Sequence, residues 1–290
     1  MGGRSIGAIN RKGGGFIRLL EIVGDLIPGE RLKTSVYLKC IAGPRKLMRR
    51  SIGAFYRMDH IYDVCREFGQ NYSGKFSILE FGVADGYAYT KKLYATRYLG
   101  LEDRIMVHGF DTFEGLPPPV DPADEGLVKG TDWSQGHYRG NLEELQRYCD
   151  AKYRNFRLHK GLFEDTLTDE VLSSLDEYKP ILIWIDCDYY TSTRQIFERL
   201  LPHIPTGCVV YFDDLYYNFG SRFTGEMRAL REINDGAFGD GVELVLDPEL
   251  SWDFNSVYRF INVDGKSRHT RLDLPTADPV RRRRDDSPFP

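Results

Sequence analysis

The sequence has few cysteines, and they lack the spacings that mark a cysteine-based fold. The five cysteines are an odd number, are widely separated and include no C-x-x-C pair. This pattern excludes a disulfide framework and argues against a zinc site. Free buried thiols are the remaining interpretation, and they are typical of a protein in the reducing cytoplasm.

Long apolar runs are also missing. No stretch approaches the roughly 20 uninterrupted apolar residues of a membrane span. Charged residues interrupt the first 30 positions, so the sequence predicts no secretory signal there. With 41% hydrophobic and 28% charged residues, the composition is that of an ordinary globular protein that folds without disulfides or metals.

The net charge of −4 is unevenly distributed. Residues 1–50 contain eleven lysines and arginines against three acids, whereas the remainder is acidic. Within this basic region, residues 16–27 have the pattern of an amphipathic helix, which packs on its own domain or, alternatively, lies on a membrane or a partner subunit. We expect a basic arm with an accessory helix over 1–55, an α/β domain over 56–264 and a disordered tail over 265–290.

From residue 76 onward, short apolar runs alternate with helix-like segments. This alternation indicates a parallel sheet covered on both faces, and hence a doubly wound, mostly parallel α/β fold. The last two runs are expected to form an antiparallel hairpin at one edge. The predicted strands are 76–81, 105–110, 156–161, 181–186, 208–213, 242–247 and 257–262. The predicted helices lie near 55–69, 86–98, 141–152, 168–175, 192–203 and 225–234.

Ligands of such sheets bind at the carboxyl ends of the strands. The first strand ends in a turn in which Gly82 and Gly86 allow a ligand to approach the backbone, although a purely structural turn is an equal alternative. The G-x-G-x-x-G fingerprint is absent, because Ala84 and Tyr87 replace two of its glycines, and this argues against a nicotinamide oxidoreductase. Asp111 ends the second strand and is placed to accept hydrogen bonds from a ribose, so turn and acid together indicate an adenosine-like ligand.

Four aspartates follow the next two strands of the predicted sheet. Asp186 and Asp188 end one strand, and Asp213 and Asp214 end its neighbour. Their mutual repulsion would be costly without a cation, and oxygen ligands favour Mg²⁺ or Ca²⁺. Alternatively, Asp188 caps the next helix. The D-x-D pattern also fits a metal-dependent glycosyltransferase.

The long connection over 114–140 is typical of a lid or a binding loop. It contains His137, which is a second, weaker candidate for the general base. His108 lies within the second strand and is expected to be a core histidine.

Several segments resemble the macrocin O-methyltransferase family, whose members are class I enzymes that depend on S-adenosylmethionine and a metal and modify antibiotic sugars. The resemblance covers roughly residues 76–235 and is most specific in GFDTFEGLP and in the D-x-D-x-Y-x-S-T segment with the later Asp pair. The segments that carry it are GFDTFEGLP (109–117), KGLFEDTL (160–167), DCDYYTST (186–193), YFDD (211–214) and GEMRALREI (225–233).

The resemblance implies a Rossmann-like class I methyltransferase that moves a methyl group from S-adenosylmethionine to a hydroxyl, with a sugar or a glycosylated natural product as the expected acceptor. It assigns the divalent cation, Mg²⁺ by preference, to Asp186, Asp213 and Asp214, with Asp186 also accepting the proton. The implied cofactor-binding residues are Glu80, Gly82, Gly86, Asp111, Thr112, Phe113, Leu162 and Phe163.

The chain departs from the family pattern at Cys187 and Tyr189, which reshape the pocket wall. The basic arm and the segment 215–224 have no family counterpart and are expected to determine acceptor specificity. A non-catalytic binding module that uses the basic arm is a further alternative. We expect a small-molecule acceptor, no nucleic acid and, by analogy with the family, a homodimer.

Overall fold

The structure is a computed structural model that describes residues 60–69, 71–128, 134–248, 250–251 and 256–263. The predicted accessory helix, the basic arm and the tail therefore lie outside the described residues. Among the residues described, no helix is long and apolar enough to cross a bilayer. The strands are β1 (Lys75–Phe81), β2 (Ile105–Asp111), β3 (Phe156–Lys160), β4 (Tyr178–Ile185), β5 (Val209–Phe212), β6 (Val242–Leu246) and β7 (Ser256–Asn262).

Eight helices occur in the described ranges. The first, α1, includes residues 60–69. The others are α2 (Tyr87–Tyr98), α3 (Pro122–Val128), α4 (Leu142–Asp150), α5 (Phe163–Thr166), α6 (Asp169–Glu177), α7 (Tyr190–Leu200) and α8 (Gly225–Asn234). Short 3₁₀ turns follow α7 at Leu201–His203 and β5 at Tyr217–Gly220.

The seven strands form one sheet in the order β3-β2-β1-β4-β5-β7-β6. The first five are parallel, and β7 lies antiparallel between β5 and β6. The doubly wound fold and its antiparallel edge are thereby confirmed. The strand order reverses between β1 and β4, and at such a point the connecting helices leave on opposite faces and open a crevice.

Strands β1, β2, β4 and β5 are buried on both faces over most of their length, which explains their nearly continuous apolar sequences. Successive residues of β1 point to opposite sides, so that Ile78 belongs to one hydrophobic cluster and Leu79 to the other. Helices α1, α2 and α4 cover the first face, and helices α6, α7 and α8 cover the second. Each fully buried side chain of this kind contributes about 1.5–3 kcal/mol to folding.

Candidate active site

A cleft of about 710 Å³ opens at the carboxyl ends of the parallel strands, at the reversal of strand order. Its floor consists of the residues that follow β1, β2, β4 and β5. Its walls come from α2, the connection between β2 and α4, the start of α5 and the start of α7. The cleft lies where the fold class places ligands.

The glycine turn after β1 forms one side of the floor. Gly82 has a φ of 92° and Gly86 a φ of 78°, a left-handed region that favours glycine. A Cβ atom at position 82 would overlap the backbone carbonyl oxygen of Asp186, so no larger residue fits between the ends of β1 and β4. Glycine at position 82 is therefore required by backbone packing within the fold.

Asp111 joins this turn to the end of β2. Its Oδ2 accepts hydrogen bonds from the backbone N–H groups of Val83 (2.7 Å) and Ala84 (2.8 Å), and its Oδ1 accepts one from Phe113. An ionised carboxylate accepts about four hydrogen bonds. Three backbone donors therefore leave capacity for one ligand hydroxyl, and Asp111 lines the cleft.

Glu80 lies at the cleft floor in a buried ion pair. Its carboxylate is 2.6 Å from the Lys92 ammonium of α2, and both side chains are almost fully buried. The Lys92 ammonium also lies 3.9 Å from the centroid of the Trp184 ring. No local pattern indicates this pair, because the two residues are separated by a turn and lie on different elements.

The other predicted cofactor residues divide into two groups. Thr112, Leu162 and Phe163 line the cleft, and the Phe163 ring packs edge-on against Phe81. Phe113 is not among the lining residues, because its side chain is buried in the core. It contributes through its backbone N–H to Asp111.

Three of the four predicted aspartates come together. Asp186 and Asp213 each extend the parallel hydrogen bonding by one residue beyond the strands, through their N–H groups to Phe81 and Ile185. Carboxylate oxygens of Asp186, Asp213 and Asp214 all lie within 4.8 Å of one another, and the three residues are half-buried. A half-buried set of oxygen ligands at this spacing fits a hard divalent cation such as Mg²⁺.

A fifth acid, Glu226, lies behind these aspartates. It is 1% exposed, and its Oε2 accepts a hydrogen bond from the Asp214 backbone N–H at 3.1 Å. Burial, together with the charges of the four nearby aspartates, raises the pKa of Glu226 well above its ordinary value and favours its protonated form. The signal for it was an acid on the apolar stripe of α8, in line with Leu230 and Ile233.

The interpretation of Asp188 as a helix cap is wrong. Asp188 lines the cleft with a left-handed φ of 62°, and α7 begins at Tyr190, two residues earlier than predicted. The fully buried Asp124 of α3 takes the capping role, since it accepts hydrogen bonds from the Tyr190 backbone N–H (2.7 Å) and the Thr191 hydroxyl (2.6 Å). A carboxylate here satisfies an open backbone donor and interacts favourably with the helix dipole.

The connection between β2 and α4 supplies the wall opposite the acids. Its residues Leu116, Pro117, Pro118 and Val120 line the cleft. His137 is exposed and is not a lining residue, whereas the adjacent Tyr138 is. The helix α3 was not predicted in this connection.

The cleft mouth is aromatic, and the segment 215–224 does not contribute to it. Tyr87 and Tyr138 are both more than half exposed at the mouth. Residues of the segment 215–224 instead line two neighbouring cavities, one beside Asp214 and one beside α8. Tyr189 and Tyr190, which follow β4, are buried packing residues.

The histidine predicted to lie in the core does so. His108 is 3% exposed, and its Nδ1 lies 3.1 Å from Nε2 of His159 on β3. Burial lowers the pKa of His108 to about 3 and that of His159 to about 4. Neither ring lines the cleft.

Comparison with known proteins gives a family match and a set of similar folds. The family model for macrocin-O-methyltransferase (TylF) matches residues 47–238, about two thirds of the chain. The calicheamicin methyltransferase CalS11 has a TM-score of 0.58 and 22% sequence identity, over 83% of this chain and 90% of that one. The O-methyltransferase NovP has a TM-score of 0.54 and 21% identity, over 74% of this chain and 80% of its own. No curated protein sequence matches the chain.

Proposed function

Because the chain belongs to the macrocin-O-methyltransferase family and is an S-adenosylmethionine-dependent O-methyltransferase, we propose that it methylates a hydroxyl group of a sugar-bearing natural product in a cation-dependent reaction. The observation that carries the cation dependence is the convergence of Asp186, Asp213 and Asp214 on one half-buried point of the cleft. The family name refers to macrocin, and CalS11 is a calicheamicin methyltransferase, which supports a natural product as the acceptor.

The glycine turn and Asp111 would hold the cofactor. Asp111 would accept a hydrogen bond from a ribose hydroxyl with its remaining lone pair, while its three backbone contacts keep the turn in place. Thr112, Leu162 and Phe163 line the same cleft and would contact the cofactor from the side of β2 and α5. The acids that follow β4 and β5 line this cleft as well.

The acceptor enters from the opposite side, between the aromatic mouth and the acids. When bound, a divalent cation supplies positive charge that lowers the pKa of the acceptor hydroxyl. Asp186, Asp213 and Asp214 would hold the cation, and Asp186 would accept the hydroxyl proton. The acceptor oxygen would form a bond to the methyl carbon as the carbon–sulfur bond breaks, and the electron pair of the broken bond would stay on sulfur, which gives S-adenosylhomocysteine. The reaction requires no covalent enzyme intermediate. The orientation of the two reactants in the cleft therefore supplies much of the rate enhancement.

Family membership favours this reaction over the D-x-D glycosyltransferase alternative. Isothermal titration separates the two, with S-adenosylhomocysteine as one probe and a panel of nucleotide sugars as the other. Tight binding of S-adenosylhomocysteine that persists in EDTA is the expected result. Binding of a nucleotide sugar only in the presence of a cation, with no binding of S-adenosylhomocysteine, would support the glycosyltransferase.

The reaction itself is tested by incubating the protein with S-adenosylmethionine and a panel of glycosides and nucleotide sugars, with S-adenosylhomocysteine formation as the readout. EDTA is expected to abolish turnover of any accepted compound, and added Mg²⁺ to restore it. Full turnover in EDTA would contradict the cation dependence.

A further inference from the structure

A row of buried side chains crosses the sheet directly beneath the acid cluster. Glu80, Trp184 and Tyr211 occupy neighbouring register positions on β1, β4 and β5. Alternate residues of a strand share a face of the sheet. Trp184 and Tyr211 therefore share a face with Asp186 and Asp213, each of which follows two residues later along its own chain segment.

Each of these two aromatic residues donates a hydrogen bond to the aspartate above it. The Tyr211 hydroxyl lies 2.8 Å from Asp213 Oδ1, and the Trp184 Nε1 lies 3.4 Å from Asp186 Oδ2, a long contact. The two rings stack with their centroids 3.7 Å apart and 19° between their planes. The carboxylates of two strands are thus connected through one pair of rings.

The stack is held firmly from below. Trp184 is 0% and Tyr211 2% exposed, so neither ring can shift without displacing core residues. The ammonium of Lys92 lies over the indole, and its ion pair with Glu80 provides a partner for its buried charge. Strands β1, β4 and β5 and helix α2 therefore fix the position of the two rings.

We propose that Trp184 and Tyr211 act as a coupled pair of positioning residues, which set the separation and orientation of Asp186 and Asp213 for a divalent cation. The inference rests on the proposed function, because it assigns a role toward the cation. Outer hydrogen-bond partners of metal ligands orient those ligands, and their loss typically weakens metal affinity 10- to 100-fold. Neither ring is among the residues that line the cleft, so the pair acts through the aspartates.

The test is a Mn²⁺ titration of protein saturated with S-adenosylhomocysteine, with free Mn²⁺ measured by electron paramagnetic resonance. Tyr211→Phe removes one hydroxyl and keeps the ring stack. We expect the Kd for Mn²⁺ to rise about tenfold or more, whereas the Kd for S-adenosylhomocysteine changes less than twofold.

The matched control is Tyr89→Phe. Tyr89 is also fully buried, and its hydroxyl donates to the backbone carbonyls of Val107 and Arg157, away from the acids. This variant is expected to lower the unfolding midpoint and leave the Mn²⁺ affinity unchanged. If Tyr211→Phe fails to fold, Trp184→Phe provides the same test from the side of Asp186.

A double-mutant comparison separates positioning from general stability. In an Asp213→Ala background, Tyr211→Phe is expected to have no further effect on the Mn²⁺ Kd, because the side chain that accepts its hydrogen bond has gone. Equal effects of Tyr211→Phe in both backgrounds, or wild-type Mn²⁺ affinity in the single variant, would overturn the inference alone. A wild-type protein that binds no Mn²⁺ at millimolar concentration would overturn the proposed cation dependence, and the inference with it.

Discussion

Asp186 and Asp188 are two residues apart, yet the structure gives them different surroundings. The carboxylate of Asp186 belongs to the three-acid cluster. Asp188 has a left-handed backbone conformation and lines the cleft outside that cluster. Membership of the D-x-D motif therefore does not determine which acid can hold a cation. What determines it is a position directly after β4 or β5, where the backbone still follows the sheet hydrogen bonding.

Asp186→Asn is expected to be the most damaging conservative change in the cleft. It removes a negative ligand and the proton acceptor together, so we expect methyl transfer to fall about 10²–10⁴-fold. Asp188→Asn is the matched control and should cost less than tenfold. Initial rates of S-adenosylhomocysteine formation with an accepted glycoside provide the measurement. Full activity of Asp186→Asn would contradict its role and move the search for a base to His137.

Cofactor affinity is expected to depend on Asp111. Asp111→Ala removes the acceptor for the ribose and three backbone contacts of the glycine turn, which should weaken binding by about 1–3 kcal/mol. Isothermal titration with S-adenosylhomocysteine measures this loss. Asp103→Asn is the control, because Asp103 forms a surface ion pair with Arg154 and does not line the cleft. Unchanged affinity in Asp111→Ala would show that the ribose lies elsewhere.

At the scale of elements, Asp124 joins the long segment between β2 and α4 to the start of α7 through its hydrogen bonds to Tyr190 and Thr191. Removing a helix cap typically costs about 0.5–2 kcal/mol, so Asp124→Ala should lower the free energy of unfolding by roughly that amount. It should also raise the KM for the acceptor, because this connection forms a wall of the cleft. Urea unfolding and steady-state kinetics check the two effects.

Thr168→Ala tests whether the effect of Asp124→Ala is specific to the cleft. Thr168 caps α6 through the Val171 backbone N–H, so this variant should lose similar stability with an unchanged acceptor KM. An unaltered urea midpoint for Asp124→Ala would mean that the cap contributes nothing.

The strands and most helices could be predicted because their signals are local. Apolar runs such as 181–186 and 208–213 are bounded by charged or turn residues, and the edge hairpin follows from two such runs close in sequence. The four aspartates could also be placed at one edge of the sheet, since neighbouring parallel strands end there. These inferences depend only on the period of the apolar residues and the order of the elements, whereas the choice of Asp186, Asp213 and Asp214 among the four came from the family resemblance.

The contacts that position the site were not predictable in the same way. Asp124 caps a helix 66 residues away, and Lys92 pairs with Glu80 across two elements. Both contacts depend on how helices dock on the sheet, which no local pattern specifies. Short helices such as α5, with four residues, also have too little length for a period to be recognised.

At the scale of the whole molecule, buried histidines make folding sensitive to acid. Burial lowers the pKa of His60 and His159 to about 4 and that of His108 to about 3, below the ordinary value of 6.5. Between these lowered pKa values and 6.5, the unfolded chain therefore binds more protons at its histidines than the folded chain does. The contribution of these histidines to stability is complete above about pH 6.5 and is lost as the pH drops toward 4.

For His108 this loss should be on the order of 2 kcal/mol between pH 7 and pH 5. Urea midpoints measured across this range provide the test. His108→Phe should remove the share of His108 and make the dependence less steep, while His60 and His159 continue to titrate. His137→Gln, at an exposed position, should leave the dependence unchanged. A wild-type midpoint that is constant from pH 7 to 5 would contradict this prediction.

The cation-dependent reaction is tested most directly by anomalous diffraction at the manganese edge, from crystals grown with S-adenosylhomocysteine and MnCl₂. The proposed function predicts S-adenosylhomocysteine against the Gly82 turn and Asp111, with one manganese peak in contact with the carboxylates of Asp186, Asp213 and Asp214. S-adenosylhomocysteine bound there with no manganese peak at the three aspartates, at saturating Mn²⁺, would contradict it.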